Sequence, residues 1–125
     1  MNRNVKTILV VEDNPVDMRL VTDILKREGY RVIQTVNAEL GIEVALQEKP
    51  ALILMDIQLP KMDGLTATKI LKSEKSMQET LIIAVTANAM KGDEADVLAA
   101  GCDEYIPKPI RYKSFIKKIS ELLKK

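Results

Sequence analysis

Apolar runs and amphipathic stretches alternate along the chain from end to end. Thr7-Ile8-Leu9-Val10-Val11 is a short apolar run, and the spacing after it predicts a helix from Pro15 to about Glu28. Asn14 is placed to cap that helix, Pro15 suits its first turn, and Gly29 closes it. Arg31 to Val36 reads as a second, more mixed strand, and Ala38 to Glu48 as a second helix stopped before Pro50. Ala51 to Met55 is wholly apolar again. A loop follows, then a helix from about Gly64 to Ser73, a polar connection from Ser73 to Thr80, and a fourth strand from Leu81 to Thr86. Met90 to Ala100 predicts a weak helix ending at Gly101, and Glu104 to Pro107 a short fifth strand. In the last segment Tyr112, Phe115, Ile116, Ile119, Leu122 and Leu123 share one helical face. The fourth helix carries Gly92 and few large apolar side chains, so it reads as a loosely held element.

This alternation predicts an α/β fold, a doubly wound (βα)5 parallel sheet of five strands covered by helices on both faces. The first, third and fourth strands are apolar at every position, as central strands buried on both sides must be. The second and fifth are mixed or short and belong at the edges. With right-handed crossovers these placements give the strand order 2-1-3-4-5, and ligands in such sheets bind at the carboxyl ends of the strands.

Composition narrows the function. The 125 residues fit a single domain spanning 1–125. A formal charge of +1 argues against direct nucleic-acid binding, which normally needs a basic excess. No apolar run approaches the length of a membrane span, and Met1-Asn2-Arg3-Asn4 does not read as a signal peptide, so a cytoplasmic protein is expected. The single cysteine, Cys102, excludes an internal disulfide and reads as a small buried hydrophobe. The chain has no His, so it can build neither a Ser-His-Asp triad nor a His-ligated zinc centre. Its chemistry must come from carboxylates, hydroxyls and lysines.

The ends of the predicted strands supply such groups. The first ends in Glu12-Asp13, the third in Asp56, the fourth in Thr86-Ala87, and the fifth leads into Lys108-Pro109. Each has a plain explanation by itself: Glu12-Asp13 as charges favouring a helix N-terminus, Asp56 as a turn residue, Thr86 as a β-branched strand residue, Lys108 as a solvated lysine. Their joint placement on one rim does not. Two like charges ~4 Å apart cost on the order of 4 kcal/mol at an effective dielectric near 20. A hard divalent cation such as Mg²⁺ relieves that repulsion and recruits phosphoryl oxygens. A carboxylate is an established nucleophile at phosphorus, and an ammonium and a hydroxyl can stabilise the transferring group. The rim therefore predicts phosphoryl transfer onto an aspartate, with Asp56 the most enclosed acid and the acceptor.

In these residues the chain resembles the receiver domains of response regulators, the CheY-like (flavodoxin-like) fold. The resemblance covers essentially the whole length. It rests on Ile8-Leu9-Val10-Val11-Glu12-Asp13-Asn14, on Leu54-Met55-Asp56-Ile57-Gln58-Leu59-Pro60-Lys61-Met62-Asp63-Gly64, on Ala84-Val85-Thr86-Ala87 and on Lys108-Pro109. The Asp56 segment and Ala89-Met90-Lys91-Gly92-Asp93-Glu94 are most similar to single-domain receivers of the DivK type, and receivers within hybrid histidine kinases look similar. The resemblance implies that Asp56 is the phosphoacceptor and that Glu12 and Asp13 are the metal-binding acids for Mg²⁺ (or Mn²⁺). It implies that Gln58 adds its backbone carbonyl to the metal, that Thr86 and Lys108 contact the phosphoryl group, and that the Lys108-Pro109 bond is cis. It also implies that Tyr105 is an aromatic switch residue and that Gln58 and Asn88 tune the hydrolysis rate. From the residues alone, Tyr105 reads as packing.

The implied function is a two-component response regulator, phosphorylated by a histidine kinase or phosphotransfer protein. Its output would be a downstream protein bound through the fourth helix, fifth strand and last helix, with no nucleic-acid or membrane contact, in a monomer or weak dimer. No output domain is expected after the last helix; the alternative is a receiver module of a hybrid kinase or multidomain regulator. An aspartyl-phosphate phosphatase of the haloacid dehalogenase type would need an acid where Gln58 stands. In a flavin binder, Glu12-Asp13-Asn14 would repel the cofactor phosphate. Intact Asp13, Asp56, Thr86 and Lys108 argue against a module that no longer takes phosphate. The methionines read as core filler, and Lys113, Lys117, Lys118, Lys124 and Lys125 as the solvated face of the last helix.

Overall fold

The computed structural model describes residues 5–87 and 93–124. Five strands, β1 (Thr7–Val11), β2 (Arg31–Thr35), β3 (Leu52–Asp56), β4 (Leu81–Thr86) and β5 (Glu104–Pro107), form one parallel sheet in the order β2-β1-β3-β4-β5. The helices are α1 (Pro15–Arg27), α2 (Ala38–Glu48), α3 (Gly64–Lys72), α4 (Asp93–Ala100) and α5 (Tyr112–Leu123). The expected fold and strand order are those observed. No helix among the described residues is long and apolar enough to cross a membrane.

Strand alternation builds a core on each face. Ile8, Val10, Leu52, Leu54, Ile83, Val85 and Ile106 point to one side, against Met18, Val21, Ile24 and Leu25 of α1 and Phe115, Ile119 and Leu123 of α5. Leu9, Val11, Ile53, Met55, Ile82 and Ala84 point to the other, against Ala38 and Ala45 of α2, Ala67 and Leu71 of α3 and Val97 of α4. Every residue of β3 is buried, whereas the edge strand β2 buries only Thr35. Among the described side chains of α4 only Val97 and Ala100 are buried, and Leu98 is exposed.

Several boundaries differ from the sequence reading. β2 stops at Thr35, and Val36 is exposed, because Asn37 already caps α2 by accepting from the Leu40 N–H over 2.7 Å. β3 starts at Leu52 and runs through Asp56. The connection after α3 is less polar than its composition: a single 3₁₀ turn, Lys75–Met77, drives Met77 fully into the second core layer. α4 is described from Asp93, so the expected start at Met90 lies outside the described residues. Gly29 (φ 93°) and Gly101 (φ 110°) end α1 and α4 in the left-handed region, where a side chain would be strained.

Candidate functional site

Asp56 and Thr86 are the last residues of β3 and β4, Glu12 and Lys108 are the first residues after β1 and β5, and Asp13 follows Glu12; the backbone ladder continues one residue past β1, β3 and β5. The Glu12 N–H donates to the Thr35 carbonyl over 3.0 Å, Ile57 to Val85 over 3.1 Å, and Lys108 to Thr86 over 2.8 Å. Carboxylate oxygens of Glu12, Asp13 and Asp56 accordingly converge, all lying within 4.8 Å of one another. Glu12 and Asp56 are buried and Asp13 is exposed. Asp56 is therefore not the single most enclosed acid: each of the two is 4% exposed, because Glu12 faces into the cleft instead of flanking it.

Lys108 reaches into this cluster. Its Nζ lies 3.1 Å from Glu12 Oε1, 3.4 Å from Asp56 Oδ2 and 3.1 Å from Asp17 Oδ2. The other Asp56 oxygen, Oδ1, accepts from the Gln58 N–H over 2.9 Å, and Glu12 Oε2 accepts from the Asn14 N–H over 3.0 Å. Burial pushes the Glu12 carboxyl up to about 7, with the neighbouring Asp56 adding to the rise and the Asn14 and Lys108 hydrogen bonds opposing it. Burial alone would lower the Lys108 pKa, but Asp17, Asp56 and Glu12 together raise it above its ordinary value, so the ammonium stays charged.

Thr86 is buried at the end of β4, in register with Pro107 of β5, and the Lys108–Pro109 bond is cis. Tyr105 pairs with Ala84 and packs, half-buried, against the core layer that includes Val97 of α4. Asn88 lies outside the described residues. Cys102 is buried with its Sγ 3.7 Å from Thr68 Oγ1, and burial pushes its thiol pKa up, which favours the protonated thiol. Lys118 departs from the expected solvated face: its Nζ donates to the Tyr105 carbonyl over 3.4 Å and lies 3.7 Å from Glu104 Oε1.

Two contacts had no signal in the sequence reading. Asp17 looks like an ordinary first-turn acid, and its partner is 91 positions away. Gly64 lies so close to β3 that an added Cβ would collide with the Asp56 carbonyl oxygen, while its N–H donates to the Ile57 carbonyl over 3.0 Å. The Asp-Gly pair is visible in the sequence; the close approach behind it is not.

The donor set fits a hard divalent cation: carboxylate oxygens within 4.8 Å of one another, Asp13 exposed for access, and no softer nitrogen or sulfur ligand among them. A family model described as Response regulator receiver domain matches residues 8–120. Over 118 residues the chain is 44% identical to the polar-differentiation response regulator DivK of Brucella anthropi, spanning 94% of this chain and 96% of that protein. It is 43% identical to the DivK of Brucella ovis with the same coverage. Among solved structures, it is similar to the receiver domain of a sensor histidine kinase from Pseudomonas aeruginosa, with a TM-score of 0.90 at 32% identity over 97% of this chain and 99% of that one. That structure holds a magnesium ion coordinated in its active site cleft. A CheY-like receiver domain protein from Methanospirillum hungatei gives a TM-score of 0.88, also at 32% identity, over 96% of this chain and 94% of that one.

Proposed function

This chain belongs to the response regulator receiver family of two-component signalling, and on that footing we propose that it accepts a phosphoryl group on Asp56 and converts its arrival into a change of protein partner. An Asp56 carboxylate oxygen attacks the phosphorus of a phosphohistidine on a histidine kinase or phosphotransfer protein. The O–P bond forms as the P–N bond breaks, and the leaving imidazole nitrogen keeps the electron pair and takes a proton from solvent. The arrangement that carries this is Lys108 Nζ, 3.4 Å from Asp56 Oδ2, beside the clustered oxygens of Glu12, Asp13 and Asp56. Lys108 and the Thr86 hydroxyl stabilise the charge on the equatorial oxygens, and the Gln58 N–H fixes the orientation of the Asp56 carboxylate.

Glu12, Asp13 and Asp56, with the Gln58 carbonyl, would hold a magnesium (or manganese) ion, which when bound neutralises the carboxylates and screens them from the phosphoryl oxygens. The protein catalyses only its own phosphorylation and dephosphorylation. Gln58 and Asn88 supply no carboxylate to activate a hydrolytic water and set the lifetime of the acyl phosphate. On α1, beside the cleft, Val16 and Leu20 are exposed (74% and 44%) and offer apolar contact to the phosphodonor. Output passes through Thr86 and Tyr105 to the face formed by α4, β5 and α5, in a cytoplasmic monomer or weak dimer that docks a protein target and neither nucleic acid nor membrane.

The test is modification by acetyl phosphate with Mg²⁺, followed by intact mass. Wild type should gain one phosphoryl group and Asp56→Asn none. Label retained at full level in Asp56→Asn, or undiminished incorporation in excess chelator, would defeat the assignment.

A further inference from the structure

Asp17 plays no part in the scheme above, yet it touches the residue on which that scheme depends. Its backbone N–H is fixed by the Asn14 side chain, which accepts from it over 3.0 Å and from Val16 over 2.9 Å. That cap sets the first turn of α1, and from it the Asp17 carboxylate reaches Lys108 Nζ over 3.1 Å, as close as Glu12 and closer than Asp56. Asp17 does not belong to the group of acids that could hold a metal ion. It is also the most open of the three acids on Lys108, with its side chain 36% exposed against 5% for each of the others. A first-turn acid needs no partner beyond water and the helix dipole. This one pairs with an ammonium that it shares with Glu12 and Asp56.

The ammonium has a limited set of places to donate. Held by Asp17, it presses less on Glu12 and Asp56, which leaves their oxygens available to a cation. A phosphoryl group on Asp56 brings new oxygens that need the same ammonium. We propose that Asp17 is a positioning residue that holds Lys108 toward α1, favouring metal entry and competing with the phosphoryl group for the lysine. The proposal rests on Asp56 being the acceptor.

The two effects have opposite signs, which separates this role from a merely structural one. Asp17→Asn should weaken binding of Mg²⁺ alone, read by calorimetry, by about two- to fivefold, the scale of a partly exposed ion pair. At saturating Mg²⁺ the same variant should bind beryllofluoride about two- to fivefold more tightly, read by amide chemical shifts. Asp17→Glu, which keeps the charge, should stay closer to wild type in both. In a Lys108→Ala background, Asp17→Asn should leave beryllofluoride affinity unchanged, because the lysine through which it acts is gone. Weakening of both ligands, no change in either, or an equal gain in the Lys108→Ala background would each overturn the proposal. A wild type that takes up no beryllofluoride at all would overturn the acceptor assignment and this role with it. A wild type that saturates while Asp17→Asn behaves identically would overturn this role alone.

Discussion

The backbone N–H of Lys108 donates to the carbonyl oxygen of Thr86 over 2.8 Å, one step beyond the last β4–β5 pair, Thr86 with Pro107. The residue offering the hydroxyl and the residue offering the ammonium are thus joined through the main chain. A displacement of the Thr86 main chain would be passed through this bond to the Lys108 backbone and to β5, which carries Tyr105.

Thr86→Ala should therefore separate chemistry from signal. The variant should still take beryllofluoride with Mg²⁺, with affinity lowered by about tenfold for one lost charge-assisted hydrogen bond. In wild type, binding should change amide exchange in α4 (Asp93–Ala100) and β5. In Thr86→Ala those changes should be absent while the loop from Ile57 to Gly64 still responds. Hydrogen exchange by mass spectrometry reads both regions at once.

Lys108→Ala removes the cation that two buried carboxylates share. The metal-free variant should lose about 2 kcal/mol of stability, because Glu12 and Asp56 stay buried with one backbone hydrogen bond each and no cation beside them. It should also bind Mg²⁺ about tenfold more tightly, since the competing ammonium is gone. Thermal melts with and without Mg²⁺ check this: the cation should restore most of the lost stability.

The pH dependence follows from Glu12, whose carboxyl is pushed up from 4.5 to about 7 by burial and by Asp56. Between those values the folded, metal-free protein holds a proton that the unfolded chain has released. Its stability should fall as pH rises through about 7, by at most roughly 3 kcal/mol from this group. Mg²⁺ affinity should move the other way, weakening as pH falls through about 7 because the proton competes for the carboxylate. Glu12→Gln should flatten the first dependence, measured by denaturant unfolding at a series of pH values, and leave the metal-free protein more stable than wild type near pH 8.

Gly64→Ala places a methyl group against the Asp56 carbonyl. It should cost about 2 kcal/mol or more, and β3 must shift to relieve the collision. Beryllofluoride affinity and thermal midpoint should fall together, whereas Gly29→Ala, with open space around the added carbon but a positive φ, should lower the midpoint and leave the affinity unchanged.

The sheet was legible because burial on both faces leaves a strong mark: Ile8-Leu9-Val10-Val11 and Leu81-Ile82-Ile83-Ala84-Val85 have no polar position to confuse. Once the strand order was known, the convergence of Glu12, Asp13, Asp56 and Lys108 followed from topology. Met77 was illegible because one apolar residue in a polar stretch has no periodicity. Asp17 escaped for a different reason: a local explanation already sufficed, and its partner is remote in sequence. Lys118 likewise looked solvated until the fold set it beside the Tyr105 carbonyl. Burial patterns reveal layers, but single long-range polar contacts leave no trace in a linear pattern.

The bonds from Glu12 to Thr35, Ile57 to Val85 and Lys108 to Thr86 have a consequence for inheritance. Each anchors the chemistry to its neighbouring strand through main-chain atoms, which are the same whatever side chains the helices display. The outer surface of α1, including Val16 and Leu20, can therefore drift or be redrawn after gene duplication while the rim stays fixed. Exchanging exposed helix residues would change what docks on α1 and leave these main-chain anchors of the rim in place.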